Sequence, residues 1–312
     1  MKTEINSWRK PLLDDFLRGI RFQKGQYFRP EFRAPWGIYV EKNCAVFHIV
    51  IHGTCWIEVN GVTEPMKLSE GDLAVVTRGD AHMIRNPLST PVFNFFSLLK
   101  NHKSGPNQSL RVGGKGAVTS FVCGGAEFET GASNPLIAIL PPVLHVKRTE
   151  ERWLGLMTEQ ILGELESGCP EGMEVITRLT EILFIRAVRA YFSQKMETVE
   201  SGWLAAVRDE QIGRALAMLH GDLQQAWTVD SLARSVALSR SGLAARFKEL
   251  LGEPPLHYLT RLRINAAAIR LRSRNDKLRA VAAAVGYESV AAFAKAFRRV
   301  MGMTPGDYRQ RS

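Results

Sequence analysis

The chain has 312 residues, 45% of them hydrophobic and 23% charged, which predicts an ordinary globular protein of two domains at about 150 residues each. It has no apolar run near the roughly 20 residues of a membrane span, no signal peptide at its start, and four irregularly spaced cysteines without the CxxC pair of a zinc knuckle. The cytoplasm is therefore the expected compartment, with no membrane partner. The net charge is +10, and residues 208–312 carry nearly all of it, with 18 Lys+Arg against 9 Asp+Glu. This imbalance favours nucleic acid as the partner of the basic part, although a basic surface can also simply aid solubility.

A strand-rich segment follows a first predicted helix. Apolar residues at helical spacing predict that helix over 11–22. From about 27 to 146, short Val, Ile and Phe runs alternate with Gly, Asn, Asp and Pro, a pattern that predicts a β-sandwich or barrel. The dipeptide Asn60-Gly61 predicts a two-residue hairpin turn within it.

Helical patterns follow the strands. Apolar residues over 150–166 and 173–192, with a GCPEG turn between them, predict a helical hairpin. The fold class is therefore α+β: a cupin-like β-barrel with a helical hairpin, then an all-α domain. The predicted domains are 1–192 and 206–312, and the polar, weakly patterned stretch over 193–205 is the predicted linker.

An internal repeat marks the C-terminal domain. Phe247 recurs as Phe297, Gly252 as Gly302, Pro255 as Pro305 and Tyr258 as Tyr308, each 50 residues later. Leu232, Ala233 and Val236 match Val281, Ala282 and Val285 at an offset of 49. Each copy predicts a helix, a tight turn and a second helix, and a long helix over roughly 256–272 joins the copies. Two such helix-turn-helix units can enter successive major grooves about 34 Å apart on one DNA face; a plain helical bundle is the alternative.

Residues 206–312 closely resemble the AraC/XylS family of transcription regulators. The matching segments are SLARSVALSRSGLAARFKELLGEPPLHYLTRLRINAA and VAAAVGYESVAAFAKAFRRVMGMTPGDYR. The resemblance implies a DNA-binding domain with two helix-turn-helix units, double-stranded promoter DNA as the partner, and contact with RNA polymerase. Activation and repression both stay open at this point.

Helix geometry predicts which side chains face DNA. If Leu243, Phe247 and Leu250 face the core, the opposite side of their helix faces outward. The predicted DNA-facing residues are Arg240, Ser241, Ala244, Ala245 and Lys248 in the first unit, and Ser289, Val290, Ala291, Ala294, Lys295 and Arg298 in the second. Because many of them are small, bidentate contacts to bases are expected to be few. Specificity should then depend on Arg240, Lys295 and DNA shape.

The N-terminal domain resembles a cupin-type barrel, and more widely the cupin-bearing sensor domain of one AraC subgroup. The resemblance is carried by FHIVIHG and by GDLAVVTRGDAHMIRN, with matches at Gly71, Asp72, Gly79, His82 and Asn86. It implies a candidate metal ion, for which His48 and His82 are the candidate ligands, with no cofactor certain. His52 shares a strand face with His48 by its even spacing. The usual HxH pair is absent, because Val50 stands where its second histidine would be.

A barrel mouth also predicts a pocket for a small effector. Its candidate lining residues are Trp36, His48, Trp56 and His82, each of which could instead be ordinary core. Cys123 is a candidate redox-sensing thiol, with a buried inert cysteine as the alternative. The helical hairpin is a candidate dimerisation element, or it packs only on its own barrel.

These observations predict a sequence-specific transcription regulator, not an enzyme. A small effector or a redox signal sensed in the N-terminal domain is expected to control promoter binding, and a homodimer is the expected assembly. A cupin enzyme with an added DNA-binding module and an architectural DNA binder without an effector are the two alternatives.

Overall fold

The computed structural model describes residues 17, 22–41, 44–101, 111–128, 140–169, 171–195, 202–272 and 276–311. The described residues divide into two compact units, one ending at Tyr191 and the other beginning at Phe192. Within these ranges, no helix is long and apolar enough to cross a membrane. The predicted helix over 11–22 lies almost wholly outside the described residues, and its last residue, Phe22, begins the first strand.

Short strands build most of the N-terminal unit, as their Val, Ile and Phe content predicts. They are β1 Phe22–Phe28, β2 Glu31–Arg33, β3 Trp36–Val40, β4 Ala45–His52, β5 Thr54–Val59, β6 Met66–Ser69, β7 Leu73–Val76, β8 His82–Asn86, β9 Phe93–Asn94, β10 Arg111–Gly113, β11 Val118–Phe128 and β12 Val143–Val146. One short helix, α1 (Phe95–Asn101), follows β9.

The strands form two sheets. The first has the order β10-β2-β11-β4-β7-β12, with β1 also paired to β11, and the second has the order β6-β5-β8-β3-β9. Apolar side chains from both sheets form one core, in which Trp36 stacks on Phe32 at 4.7 Å between ring centroids and meets Phe121 edge-on. This confirms the predicted sheet-rich, cupin-like part of the domain.

Two local predictions for the strands are wrong in detail. Asn60-Gly61 does form the turn after β5, with Gly61 at φ +88°, but β6 begins only at Met66, so the hairpin loop is longer than two residues. His52 does not share a face with His48, because a bulge in β4 pairs Val50 with Phe121 and His52 with Ser120. The extra residue reverses the alternation of side chains beyond it, and His52 lies exposed beside Glu70.

The predicted helical hairpin is present. It consists of α2 (Trp153–Ser167) and α3 (Gly172–Lys195), and α2 ends on Gly168 in the left-handed conformation, φ +64°. Helix α3 packs on β1: the Phe22 N–H donates to Glu181 Oε1 at 3.0 Å, and the rings of Phe22 and Phe184 meet edge-on. At least part of the hairpin's apolar surface therefore covers its own barrel.

Helices form the C-terminal unit throughout its described residues. They are α4 Trp203–Arg208, α5 Glu210–Gly221, α6 Val229–Ser235, α7 Arg240–Leu251, α8 Pro255–Arg272, α9 Leu278–Ala284, α10 Val290–Met301 and α11 Pro305–Arg311. The linker prediction over 193–205 is too wide, because α3 continues to Lys195 and because Trp203, Leu204 and Ala205 are buried in α4. Burial of the apolar Trp203 side chain explains why this part of the stretch is helix rather than linker.

The internal repeat has the same backbone in both copies. In α6–α7 the Leu238 N–H donates to the Ala233 carbonyl, and in α9–α10 the Tyr287 N–H donates to the Ala282 carbonyl, each at 2.9 Å. Ala237 and Gly286 occupy the equivalent left-handed turn position, at φ +56° and +80°. Both copies are therefore helix-turn-helix units, and α8 joins them as predicted.

Candidate functional site

Burial fixes the outward face of α7. Leu243, Phe247 and Leu250 are buried, and Ser239 begins the helix by accepting a hydrogen bond from the Gly242 N–H at 3.0 Å. Of the predicted DNA-facing residues on α7, four are exposed and Ala244 is half-buried; the exposed ones are Arg240, Ser241, Ala245 and Lys248.

Helix α10 has the same arrangement around buried Phe293 and Phe297. Ser289 is its N-cap and accepts a hydrogen bond from the Ala292 N–H at 3.3 Å, so its hydroxyl has a structural role beside any contact to DNA. The other predicted residues divide by exposure. Ala291, Lys295 and Arg298 are exposed, whereas Val290 and Ala294 are half-buried.

Cations are grouped near the C-terminal half of α10. Lys295, Arg298, Arg299 and Thr304 line a shallow surface concavity together with Ala294. Three positive charges around a concavity are suited to hold phosphate groups, which position a protein on DNA without reading sequence. Thr304 was not predicted from the sequence, because it follows the helix and comes beside it only through the turn at Gly302.

Arg240 at the start of α7 is available for a base contact. Its guanidinium lies 3.6 Å from the Asp230 carboxylate, and its side chain is 71% exposed. An exposed pair of this kind is worth about 0–1 kcal/mol, so little is lost when a base replaces the carboxylate. Arg246 on the same helix is instead held by Asp209 at 3.0 Å and Glu249 at 2.9 Å.

The joining helix holds the two units together through Arg263. Its Nε and Nη2 donate to the carbonyl oxygens of Leu223 and Gln225, both at 2.8 Å, and its guanidinium lies over the Tyr287 ring. Leu223 and Gln225 follow α5 beside the first unit, whereas Tyr287 belongs to the turn of the second. Arg263 is therefore a positioning residue and not part of a solvated face.

Two histidines and a cysteine meet inside the barrel. His48 Nδ1 lies 3.1 Å from Cys123 Sγ, and His48 Nε2 lies 2.9 Å from His82 Nε2. All three side chains are buried, and strand pairing places Cys123 directly opposite His48. The sequence predicted His48 and His82 as one candidate pair, but the contact with Cys123 needs the register of β4 and β11.

The hydrogen bonds that connect His82, His48 and Cys123 form a series, and the contact of His82 with Asp80 fixes the donor and acceptor in each of them. His82 Nδ1 lies 2.9 Å from the Asp80 carbonyl oxygen, which can only accept, so His82 carries its proton on Nδ1. His82 Nε2 then accepts from His48 Nε2–H, and His48 Nδ1 accepts from the Cys123 thiol. Burial lowers the pKa of both imidazoles, and the neighbouring His82 lowers that of His48 further; burial also raises the pKa of the thiol. Both imidazoles and the thiol are therefore neutral.

The cysteine and histidines do not form a metal site in this arrangement. Among the described residues, no group of three or more His, Cys, Asp or Glu could hold an ion. The two Nε2 atoms face each other at hydrogen-bond distance, and His52, the suggested third ligand, is exposed beside Glu70. The fit of these residues to a cupin metal is therefore poor.

Most of the cupin-like segment over 71–86 has a structural role. The buried Asp72 carboxylate accepts hydrogen bonds from the Ser69 and Arg148 backbone N–H groups, which connects the β6–β7 turn to the segment after β12. Gly71 adopts φ +82°, a conformation that favours glycine. Asn86 Nδ2 donates to the Thr54 carbonyl at 2.9 Å. Of the segment's predicted matches, only His82 takes part in the hydrogen bonds with His48 and Cys123.

A cavity of about 140 Å³ opens beside His48 and Cys123 at the barrel mouth. Its floor includes His48 and Cys123, and Gln26 and Glu127 are exposed at its rim. Its apolar walls come from β1, β3, β4 and α1 and include Phe28, Ile38, Val40, Val46, Phe95 and Phe96.

The predicted effector-pocket residues only partly line this cavity. His48 does so, whereas His82 lies behind it and Trp36 is buried in the core against Phe32. Trp56 does not line it either: it lies on β5 in the second sheet, paired with Lys67 and Arg85. The aromatic residues that do line the cavity are phenylalanines of β1 and α1, which come together only through the fold, so the sequence did not single them out.

The fold and its exposed basic helices define a class: a DNA-binding transcription regulator with a cupin domain. Family comparisons agree, since the Cupin family matches residues 12–193 and the Helix-turn-helix domain family matches residues 232–311. The chain belongs to the AraC-type transcription regulators with an N-terminal cupin domain, and it is not an enzyme. This overturns the alternative of a cupin enzyme.

The chain is similar to several known regulators and to solved DNA-binding domains. An AraC-like transcription regulator of Streptomyces lividans is 36% identical over 269 residues, 85% of this chain and 86% of that protein. The regulator AlkR of Acinetobacter baylyi is 26% identical over 309 residues, 96% of this chain and 99% of that protein. The activator RclR of Escherichia coli, described as RCS-specific, is 31% identical over 198 residues, 62% of this chain and 68% of that protein. Among solved structures, the DNA-binding domain of AdpA in complex with a target DNA covers 32% of this chain and 89% of its own, with 29% identity and a TM-score of 0.31.

Proposed function

We propose that a small molecule bound in the barrel-mouth cavity controls the binding of this regulator to promoter DNA. The observation that carries the proposal is the cavity itself, which combines apolar walls with the polar floor of His48 and Cys123. Binding sites for small molecules are concave and mostly apolar, with a few polar groups that fix orientation.

DNA reading is proposed to fall on the exposed faces of α7 and α10. Arg240 and Lys295 are the candidates for base contacts, and Ser241, Ala245 and Ala291 are small enough to approach thymine methyl groups. Lys248 and Arg298 are proposed to hold phosphate. The proposed domain division is 1–192 and 206–312, and the proposed partners are promoter DNA in the cytoplasm, RNA polymerase and a second copy of the chain.

A redox signal at Cys123 is the second candidate input. The relative RclR carries the description RCS-specific, and Cys123 lines the cavity. Oxidants react with the thiolate, however, and burial raises the pKa of this thiol. The structure therefore favours a reversible ligand over oxidation of Cys123.

The proposal is tested by DNA binding with and without candidate effectors. Genomic footprinting of the purified protein first supplies an operator, and fluorescence anisotropy then measures its affinity while a library of small molecules is screened. We expect at least one compound to change the affinity fivefold or more. The wild type and Val46→Phe, which narrows the cavity, should differ in this response but not in affinity without a compound. An equal response of both proteins would contradict an effector in this cavity.

A further inference from the structure

The cavity owes its space to a missing side chain on β11. Because side chains alternate along a strand, Gly125 shares the cavity face with Cys123 and Glu127. Its φ is not in the left-handed region, so the backbone does not require glycine there. A Cβ at this position would meet Cys44 Sγ at 2.9 Å, and the next atom lies at 3.9 Å. Glycine weakens the interior of a strand and often marks a place where a ligand approaches the backbone.

The neighbouring Gly124 shows the contrast. A Cβ on Gly124 would collide with the rings of Phe47 and Tyr27, on the opposite face of the strand. Packing therefore requires glycine at 124. At 125 only the Cys44 thiol would have to move to admit a Cβ, and the missing side chain leaves the floor of the cavity open.

Size and charge then restrict what the cavity can hold. Its volume of about 140 Å³ is close to the roughly 150 Å³ of an apolar cavity that accommodates benzene. Among the described lining residues, Glu127 carries the only formal charge, and the floor is neutral because burial lowers the pKa of His48. An anionic ligand would lose its hydration without gaining a cation and would lie near a carboxylate.

We propose that the cavity takes an uncharged molecule about the size of a substituted benzene ring, and that Gly125 is the specificity-determining position that makes room for it. This inference rests on the proposed function in one respect: it takes the barrel-mouth cavity as the effector site. The apolar ring would lie against Phe28, Phe95 and Ile38. A single hydroxyl or carbonyl group would point to the floor at His48 and Cys123.

A matched series of probes tests the charge restriction. Toluene and benzyl alcohol are neutral, benzylamine is cationic and benzoate is anionic, and all four have similar size. Binding to the full chain is measured without DNA by isothermal titration and by the rise of Tm with ligand concentration. We expect the two neutral probes to bind at least tenfold more tightly than benzoate. Benzoate binding as tight as that of benzyl alcohol would overturn the proposal, and benzylamine binding more tightly than benzyl alcohol would move the ligand class to cations and overturn it as well.

A graded pair of variants tests the position. Gly125→Ala should weaken the binding of benzyl alcohol severalfold, and Gly125→Leu should weaken it at least tenfold by filling the cavity. Gly163→Leu is the matched control, because Gly163 in α2 has no atom within 4 Å of an added Cβ. Val46→Phe fills the cavity from another strand. If Gly125→Leu does not fold, the binding of benzyl alcohol to Val46→Phe is the test in its place. Unchanged binding in both filling variants would overturn the proposal.

Failure of this inference can be told apart from failure of the proposed function. If neutral probes bind and Gly125→Leu blocks them, but no compound alters DNA affinity, the inference survives and the proposed function fails. If a charged effector alters DNA affinity in the wild type and loses this effect in Gly125→Leu, the proposed function survives and the inference of an uncharged ligand fails.

Discussion

Arg263 should connect the stability of the DNA-binding domain to the geometry of its two units. Its hydrogen bond to the half-buried Leu223 carbonyl comes from a charged donor, a kind that contributes about 1.5–3 kcal/mol. Its bond to Gln225 is exposed, so water can replace it at little cost. The contact with the Tyr287 ring adds about 0.5–1 kcal/mol. Arg263→Ala should therefore destabilise the helices around it by about 2–4 kcal/mol.

Hydrogen exchange in the full chain is the assay, because it reports the free energy of opening helix by helix. Amides of α9 and α10 should lose protection in Arg263→Ala, and Arg263→Lys should recover part of it through one remaining donor. Ile269→Ala is the control on the same helix, since Ile269 is 51% exposed. On an operator, Arg263→Ala should weaken binding to two half-sites more than binding to one. A loss of protection within about 0.5 kcal/mol of that in Ile269→Ala would refute the reasoning.

Three further changes have defined outcomes. Arg240→Ala should weaken specific binding by about 1–3 kcal/mol and relax one base position; an unchanged affinity profile across operator variants would remove Arg240 from base reading. Arg298→Ala should weaken binding to all sequences alike and reduce the slope of log K against log salt by about 1, whereas a sequence-selective loss would make it a base contact. Burial and the charge of Arg261 lower the pKa of His220 to about 4. Below about pH 6.5, His220 therefore binds a proton in the unfolded chain but stays neutral in the folded chain. The free energy of unfolding falls as the pH drops from about 6.5 toward 4. Urea midpoints at pH 7 and 5 should differ less in His220→Gln than in the wild type, and equal differences would contradict this origin.

The DNA-binding domain was largely predictable because its signals are local. Apolar spacing identifies which side of α7 is buried, and the cap at Ser239 and the stop at Gly252 fix its ends. The repeat then supplied the second unit, including the turn at Gly286. What the sequence could not show was tertiary: the role of Arg263 depends on partner carbonyls that lie 38 and 40 residues away in the chain.

The sensor site was less predictable because it depends on strand register. Histidine and cysteine 75 residues apart meet only because β11 pairs with β4 in one register. The alternation of apolar residues in the sequence does not indicate the bulge that turns His52 outward. Gly125 was also missed, because a glycine in a strand signals an open space only when its neighbours are known.

The two sites should respond to solution conditions in different ways. Between about pH 6.5 and 9, neither His48 nor Cys123 titrates, because burial lowers the first pKa and raises the second. A neutral ligand above the neutral floor of the cavity has no charge for salt to screen, so its affinity should stay constant across this pH range and across salt concentrations. DNA binding through Lys295 and Arg298 releases counterions and should fall steeply with salt. A salt titration of both affinities in one preparation can therefore separate the two steps, and a parallel fall of ligand affinity would show that the effector carries charge after all.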